Sequence, residues 1–227
     1  MGFGVVSLTM GNLGIAFGEN AKYLGGGALA NGLILDVSAA KILEKAGIDV
    51  GLAEAGAVYS AAREYFPDKN RYISVSGCPA TEITVKSGAK VLSFFDGEEK
   101  IAAYSYENAD GQKFLVFAFE GYSMSEHAFK QYARGEMIRQ WIAAIGKKLP
   151  ASMHGNPDCY MLCKENESGK AVWIGNFFSD ECMHTTVTLD REYSKLECIN
   201  CTGKLIGNTV EIDCIAPYAS IGFEVTI

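Results

Sequence analysis

At Leu149-Pro150 the hydrophobic period of the chain changes, and this break limits the folds open to it. Before the break, Phe129, Tyr132, Ala133, Met137, Trp141, Ala144 and Ile145 recur at helical spacing, predicting a helix from Ser125 through Ile145 that Gly146 ends. After it, apolar residues alternate with polar ones. Short strands are predicted at Cys159 to Lys164, Ala171 to Asn176, Thr185 to Leu189, Leu196 to Ile199, Thr209 to Ile212 and Ser220 to Thr226. Turn residues such as Asn166-Glu167-Ser168-Gly169 and Ile206-Gly207-Asn208 separate them. One layer of structure does not serve both periods, so two domains are expected, 1–149 and 150–227, the second a small antiparallel β-sandwich. With 227 residues, 48% of them hydrophobic, the chain has enough apolar material for two cores.

The first domain reads as α/β. The apolar run Leu33-Ile34-Leu35 is a strand; Asp36 is placed to cap a helix from Val37 to Ala46, and Gly47 to stop it. Gly25, Gly26, Gly27 and Gly32 precede the strand instead of joining it to the helix, so the helix N-terminal amides that hold a phosphate have no glycine loop before them. Nucleotide binding is not expected. Ala53 to Tyr65 reads as a second helix and Phe66 to Asn70 as a turn cluster. Strands follow at Arg71 to Ser76, Glu82 to Lys86 and Ala89 to Phe95. A hairpin then joins Lys100–Tyr106 to Gln112–Phe119 through the Asp110-Gly111 turn. Its second strand, apolar on both faces, suits the inside of a covered sheet.

Charge and cysteines narrow the function. A net charge of −7 with no Lys/Arg cluster argues against nucleic acid. No apolar run is long enough to span a bilayer, and the N-terminal stretch lacks the basic start and cleavage site of an export signal, so a cytoplasmic protein without membrane contact is expected. The seven cysteines, Cys78, Cys159, Cys163, Cys182, Cys198, Cys201 and Cys214, are an odd, irregularly spaced set that fits reduced thiols acting as small hydrophobes. Cys198 and Cys201 with Cys159, Cys163, His154 and His184 lack the two close pairs of a zinc knuckle, so no metal and no cofactor are assigned. Cys78, in Ser76-Gly77-Cys78-Pro79, precedes a strand, and no helix N-terminus activates it. The acids Asp36, Glu54, Glu82, Asp96, Glu107 and Glu120 have no scaffold that brings two of them across a sugar ring. No catalytic residue is assigned. Carbohydrate binding has candidates in Trp173, Phe177 and Phe178, with Tyr160 and Tyr218 beside them, although burial habits put Trp173 in the core.

Three stretches taken together resemble a known arrangement: LGIAF followed by GLILDVSAAKILEKAGIDVGL; AKVLSFFDG with AAYSYENADGQKFLVFAF; and YARGEMIRQWIAAIGKKLP leading into CYMLCKENESGKAVWIGNFFSD. The succession is similar to the C-terminal region of bacterial β-galactosidase-type glycoside hydrolase-like proteins. The resemblance implies a fold of α/β plus all-β class, a partial flavodoxin-like (class I glutamine-amidotransferase-like) domain lacking its first elements and followed by the β-sandwich. It also implies that the amidotransferase Cys-His-Glu site is lost, and that the catalytic carboxylates of the parent glycoside hydrolase sit in a TIM barrel upstream. The expected function is therefore a non-catalytic accessory or oligomerisation region, with that barrel and further copies of the chain as partners. A carbohydrate-binding module is the alternative, and a small hydrolase or amidotransferase using Cys78 with His127 or Glu120 is a third reading. Only about a dozen residues precede Leu13–Phe17, where the family has a strand and a helix, so a fragment or a shortened relative with a sheet edge in need of a partner strand is expected.

Overall fold

The computed structural model describes residues 6–8, 13–24, 29, 32–121, 131–154 and 159–227. The chain divides into two compact units, Met1–Lys147 and Lys148–Ile227.

In the first unit, β1 (Val6–Leu8), β2 (Leu13–Ala16), β3 (Leu33–Asp36), β4 (Leu52–Phe66), β5 (Arg71–Val85), β6 (Lys90–Phe95), β7 (Lys100–Glu107) and β8 (Lys113–Phe117) form one sheet. Its order is β1-β2-β3-β8-β7-β6-β4-β5. Only β2, β3 and β8 run parallel; the other pairings are antiparallel. Helix α1 (Val37–Lys45) starts where β3 ends, with the Asp36 carboxylate accepting the Ala39 amide at 2.8 Å, and Gly47 beyond it takes a φ of 85°. Helix α2 (Tyr132–Ala144) is the other long helix among the described residues. The predicted start of that helix at Ser125 lies outside them.

From β8 to β5 the sheet rolls up. Ala80 of β5 bridges Phe119, just past β8, and the Thr81 amide donates to the Ala118 carbonyl at 2.7 Å, so the last strand in the order returns to the fourth. Register shifts in the β4–β5 ribbon, between Leu52 and Glu54, Ala55 and Val58, and Ala61 and Arg63, supply the bending that such closure needs. Phe66, Val75, Cys78, Phe95, Phe117 and Phe119 are buried there, with Phe117 stacked on Phe119 at 5.0 Å and Phe95 tilted against it at 6.3 Å. Into this apolar surrounding α2 sends Arg134, fully buried, which pairs with the equally buried Glu64 of β4 and lies over the Phe119 ring at 5.2 Å. Ser93 of β6 donates to the same carboxylate at 2.6 Å.

The second unit holds two four-stranded antiparallel sheets. One has the order β10-β11-β16-β13, from β10 (Cys159–Glu165), β11 (Gly169–Asn176), β13 (Lys195–Ile199) and β16 (Ser220–Thr226). The other is β14-β15-β12-β9, from β9 (Ala151–His154), β12 (Cys182–Leu189), β14 (Gly203–Ile206) and β15 (Thr209–Ile215). One apolar cluster draws on both: Val172, Ile174, Ile221, Phe223 and Val225 from the first, Val187, Leu189, Val210, Ile212 and Ile215 from the second. Buried Lys170 is neutralised by Glu165 and by Asp190 at 3.2 Å.

The expected α/β plus all-β class does not hold: among the described residues strands dominate, the first unit's sheet is curled and mostly antiparallel, helices are few, and no flavodoxin-like arrangement is found. The expected helix over Ala53 to Tyr65 is instead β4. Its alanines and glutamates favour a helix, but Gly51 and Gly56 weaken one. The Pro67–Lys69 turn, closed by Asn70 at a φ of 46°, then sets the segment antiparallel to β5 along nearly its whole length. The strands read separately at Arg71–Ser76 and Glu82–Lys86 are one strand, running through Pro79 at the end of the sheet order, where a missing amide is tolerated.

If the buried pair fixes α2 in the curl, Arg134→Met alone should lower the unfolding free energy by about 3–5 kcal/mol by stranding the Glu64 charge. Combining it with Glu64→Leu should restore most of the loss, as read from urea denaturation midpoints.

Candidate functional site

In open sheets with parallel strands, ligands settle in the crevice beyond the carboxyl ends of the strands. Here those ends belong to β2, β3 and β8, and the space is occupied by the chain itself. Asp36, fully buried at the end of β3, accepts the Gly18 amide beyond β2 at 2.9 and 3.1 Å and the Gly121 amide beyond β8 at 3.0 Å, besides capping α1. Burial pushes its carboxyl upward against the pull of these amides. Ser38 donates to the Glu120 carboxylate, and the Phe17 ring covers Gly121 so closely that a Cβ there would meet it at 2.4 Å. The crevice is closed by protein groups.

Cys78 is buried in the curled sheet. Desolvation pushes its thiol up to about 11, with Arg134 pulling down and Glu64 pushing further up. Such a thiol is a poor nucleophile at neutral pH. Its proposed partner His127 lies outside the described residues, and Glu120 is engaged by Ser38. At the C-terminal end of α1, Lys86 donates to Glu44 at 2.7 Å and to Asp49 at 2.9 Å, while Tyr106 donates to Asp49 at 2.9 Å. Glu44 also accepts the Val50 and Leu52 amides, so this cluster ties the loop after α1 to the sheet. For Asp49 the upward push of burial is outweighed by Lys86, the Gly51 amide and Tyr106, which hold its carboxyl below the usual range. Among the described residues no group of three or more His, Cys, Asp or Glu is placed to hold a metal. His154 lies in β9 and His184 in β12, and Cys198 and Cys201 flank the end of β13.

Three of the aromatic candidates, Tyr160, Trp173 and Phe177, come together on the outer face of the β10-β11-β16-β13 sheet. Because Val172 and Ile174 point into the core, Trp173 and Gly175 face outward, and Trp173 is half-buried on that face instead of in the core. Its ring lies 6.1 Å from that of Phe177, and Tyr160 meets Phe177 edge-on at 5.6 Å. Gly175 makes room: a Cβ there would strike the indole at 2.5 Å and the Phe177 ring at 2.9 Å. Tyr160 and Phe177 are 53% and 57% exposed. Leu162, opposite Trp173, and Ile199, opposite Gly222, extend the apolar face. Asn176 shapes the chain beyond: its amide donates to the carbonyls of Asp180, Ile215 and Ala216 and its oxygen accepts the Phe178 amide. Phe178, 37% exposed, accepts the Tyr218 amide at its carbonyl. Leu162, Ile199 and Asn176 were not among the sequence candidates. The first two sit at outward positions of their strands, which alternation marks once the inward face is chosen; nothing local marks Asn176.

Two mostly antiparallel β units and a crevice closed by its own side chains define a strand-dominated chain with no assembled catalytic centre among its described residues. No protein-family model and no curated protein matches it. Solved structures do match. A GH42 β-galactosidase from G. stearothermophilus aligns with a TM-score of 0.51 at 13% identity, over 96% of this chain and 31% of that one. A β-galactosidase from Rahnella sp. R3 aligns at 0.51 and 8%, over 96% of this chain and 32% of that one. Alpha-L-fucosidase isoenzyme 2 from Paenibacillus thiaminolyticus aligns at 0.53 and 8%, over 86% and 36%. At these identities what is shared is the fold, and the chain spans about a third of the length of the proteins it matches.

Because Cys78 is desolvated, its alkylation in the folded protein should rise about tenfold per pH unit from neutrality toward 11 and run far slower at pH 7.5 than in urea. Peptide-resolved mass spectrometry reads both rates, and fast labelling of the folded protein at neutral pH would contradict the inert assignment.

Proposed function

We propose that this chain is a non-catalytic accessory region of a glycoside hydrolase-like protein, lying C-terminal to a catalytic TIM barrel and serving subunit assembly. The observation that carries this reading is the fold shared with two β-galactosidases, one of them a GH42 enzyme, over nearly the whole of this chain but only 31–32% of theirs. The closed crevice and the desolvated Cys78 agree with it, since neither offers reacting groups to a substrate. The β4–β5 ribbon is the surface assigned to assembly. Ala53, Glu54, Gly56, Ala57, Val58 and Ser60 are exposed along it, and Ala55 and Tyr59 are only half-buried, a long and poorly covered stretch of strand. The purified chain should hydrolyse no nitrophenyl glycoside. In sedimentation velocity it should self-associate with rising concentration, and Val58→Asp should shift it toward monomer. Turnover that follows the chain through purification, or a strict monomer at high concentration, would overturn this reading.

A second reading is favoured by one observation, the cluster of Tyr160, Trp173 and Phe177 rings on the outer sheet face, two of them more than half exposed. An aromatic ring left accessible at a surface can pack its face on the C–H groups of a pyranose, so this cluster of tilted and edge-on rings is read as a carbohydrate-binding surface, with Phe178 next to Phe177 in the chain. In gels containing soluble β-linked polysaccharide, Trp173→Ala and Phe177→Ala should each weaken retardation by about tenfold, equivalent to about 1.4 kcal/mol. Unretarded wild-type protein across a polysaccharide panel would remove this second reading and leave the first standing.

A further inference from the structure

Cys159 opens β10 and Cys182 opens β12, so the two residues belong to opposite sheets of the second unit. Their sulfurs lie 3.1 Å apart, closer than two sulfurs in simple van der Waals contact, and both side chains are buried, at 8% and 1% exposure. A disulfide requires about 2.05 Å between the sulfurs, so an approach of about 1 Å separates this dithiol from a bridge. The other cysteines of the unit have other partners, and Cys201 and Cys198 form a hydrogen-bonded pair of their own. Cys214 directs its thiol to Glu181 at 3.6 Å, Cys201 to the Gly222 carbonyl at 3.5 Å, and Cys163 lies near Lys170, Glu165 and Asp190.

We propose that Cys159 and Cys182 are a dithiol site that closes to an inter-sheet disulfide by exchange with a small-molecule disulfide. In the first step the Cys159 thiolate, from the more exposed member of the pair, attacks one sulfur of RS–SR and releases RS⁻. In the second, the Cys182 thiolate attacks the Cys159 sulfur of the mixed disulfide and releases the second RS⁻. Two protein thiols are thereby oxidised, one small disulfide is reduced to two thiols, and the two protons end on the departing RS⁻ groups. Burial governs the rate, because attack waits for a local opening, and the same burial shields the finished bridge from reductant.

The position gives the bridge a structural effect. β10 is the outer strand of its sheet and pairs only with β11, whereas β12 lies inside the other sheet between β15 and β9. A link between their first residues ties a weakly held edge to an interior strand. It also closes a loop of about two dozen residues, long enough for substantial restriction of the unfolded chain.

The test incubates the whole chain with oxidised glutathione, alkylates it under denaturing conditions and maps its peptides without reduction. The expected product is a cross-linked pair of peptides carrying Cys159 and Cys182. With it the melting midpoint should rise on the order of ten degrees, a gain reversed by dithiothreitol and abolished in Cys159→Ser and Cys182→Ser. Cys214→Ser should form the bridge as the wild type does. Linkage of Cys182 to Cys214, or of Cys198 to Cys201 alone, or full alkylation of both thiols after prolonged oxidation, would overturn the proposal. Because the wild-type map decides this without any variant, a serine variant that fails to fold does not shelter it.

Discussion

One carboxylate fixes the parallel part of the first unit. Asp36 accepts amides from the ends of three separate segments, Gly18 after β2, Ala39 in the first turn of α1, and Gly121 after β8, while the Val37 amide reaches the Phe119 carbonyl at 3.3 Å. Buried amides that lack partners cost about 1–3 kcal/mol each, so the three loops are committed to positions where this side chain serves them. The commitment has a functional consequence. The space into which parallel strands usually direct a ligand holds a buried acid and the Phe17 ring, and three interactions that satisfy the backbone also remove the pocket.

How far the sequence reveals this depends on range. The cap on α1 is legible because donor and acceptor lie three residues apart, and so is the Gly47 stop. The Gly18 and Gly121 contacts of the same carboxylate span 18 and 85 residues and leave no local trace. β4 shows the limit in the other direction. Its Ala- and Glu-rich composition carries a helical signal, yet the antiparallel pairing of this fifteen-residue strand with β5 outweighs it, because each ladder bond forms only when the partner strand is present. With that one segment changed from helix to strand, an expected α/β layer becomes a curled, mostly antiparallel sheet.

Trp173 is a case of parity. In Gly169–Asn176 both alternating sets, Val172 with Ile174 and Ala171 with Trp173, are apolar enough to serve as the inward face, and the size of the indole points to the wrong one. What decides is the partner strand: Val172 stands opposite Phe223 and Ile174 opposite Ile221, both buried, whereas Trp173 stands opposite Gly222. The paired glycine flattens the outer surface, and Gly175 lets the indole lie along its own strand towards Phe177. The candidate rings were therefore readable as residues but not as a shared face, since the face exists only once β10, β11 and β16 are in register.

The buried charges place elements more than they stabilise them. Desolvating Glu64 and Arg134 offsets most of their mutual attraction, so a well-packed hydrophobic pair of similar volume would serve stability at least as well. An apolar plug, however, is satisfied in several positions along an apolar wall. A guanidinium on α2 is satisfied only where the Glu64 carboxylate, already oriented by Ser93, waits for it over the Phe119 ring. Lys170 acts in the same way in the second unit, where Glu165 from its own hairpin and Asp190 beyond β12 meet at a single buried ammonium. In each unit a buried cation selects one arrangement of strands whose apolar contacts alone would tolerate others. That role accounts for buried acids and bases in a chain whose described residues assemble no catalytic centre.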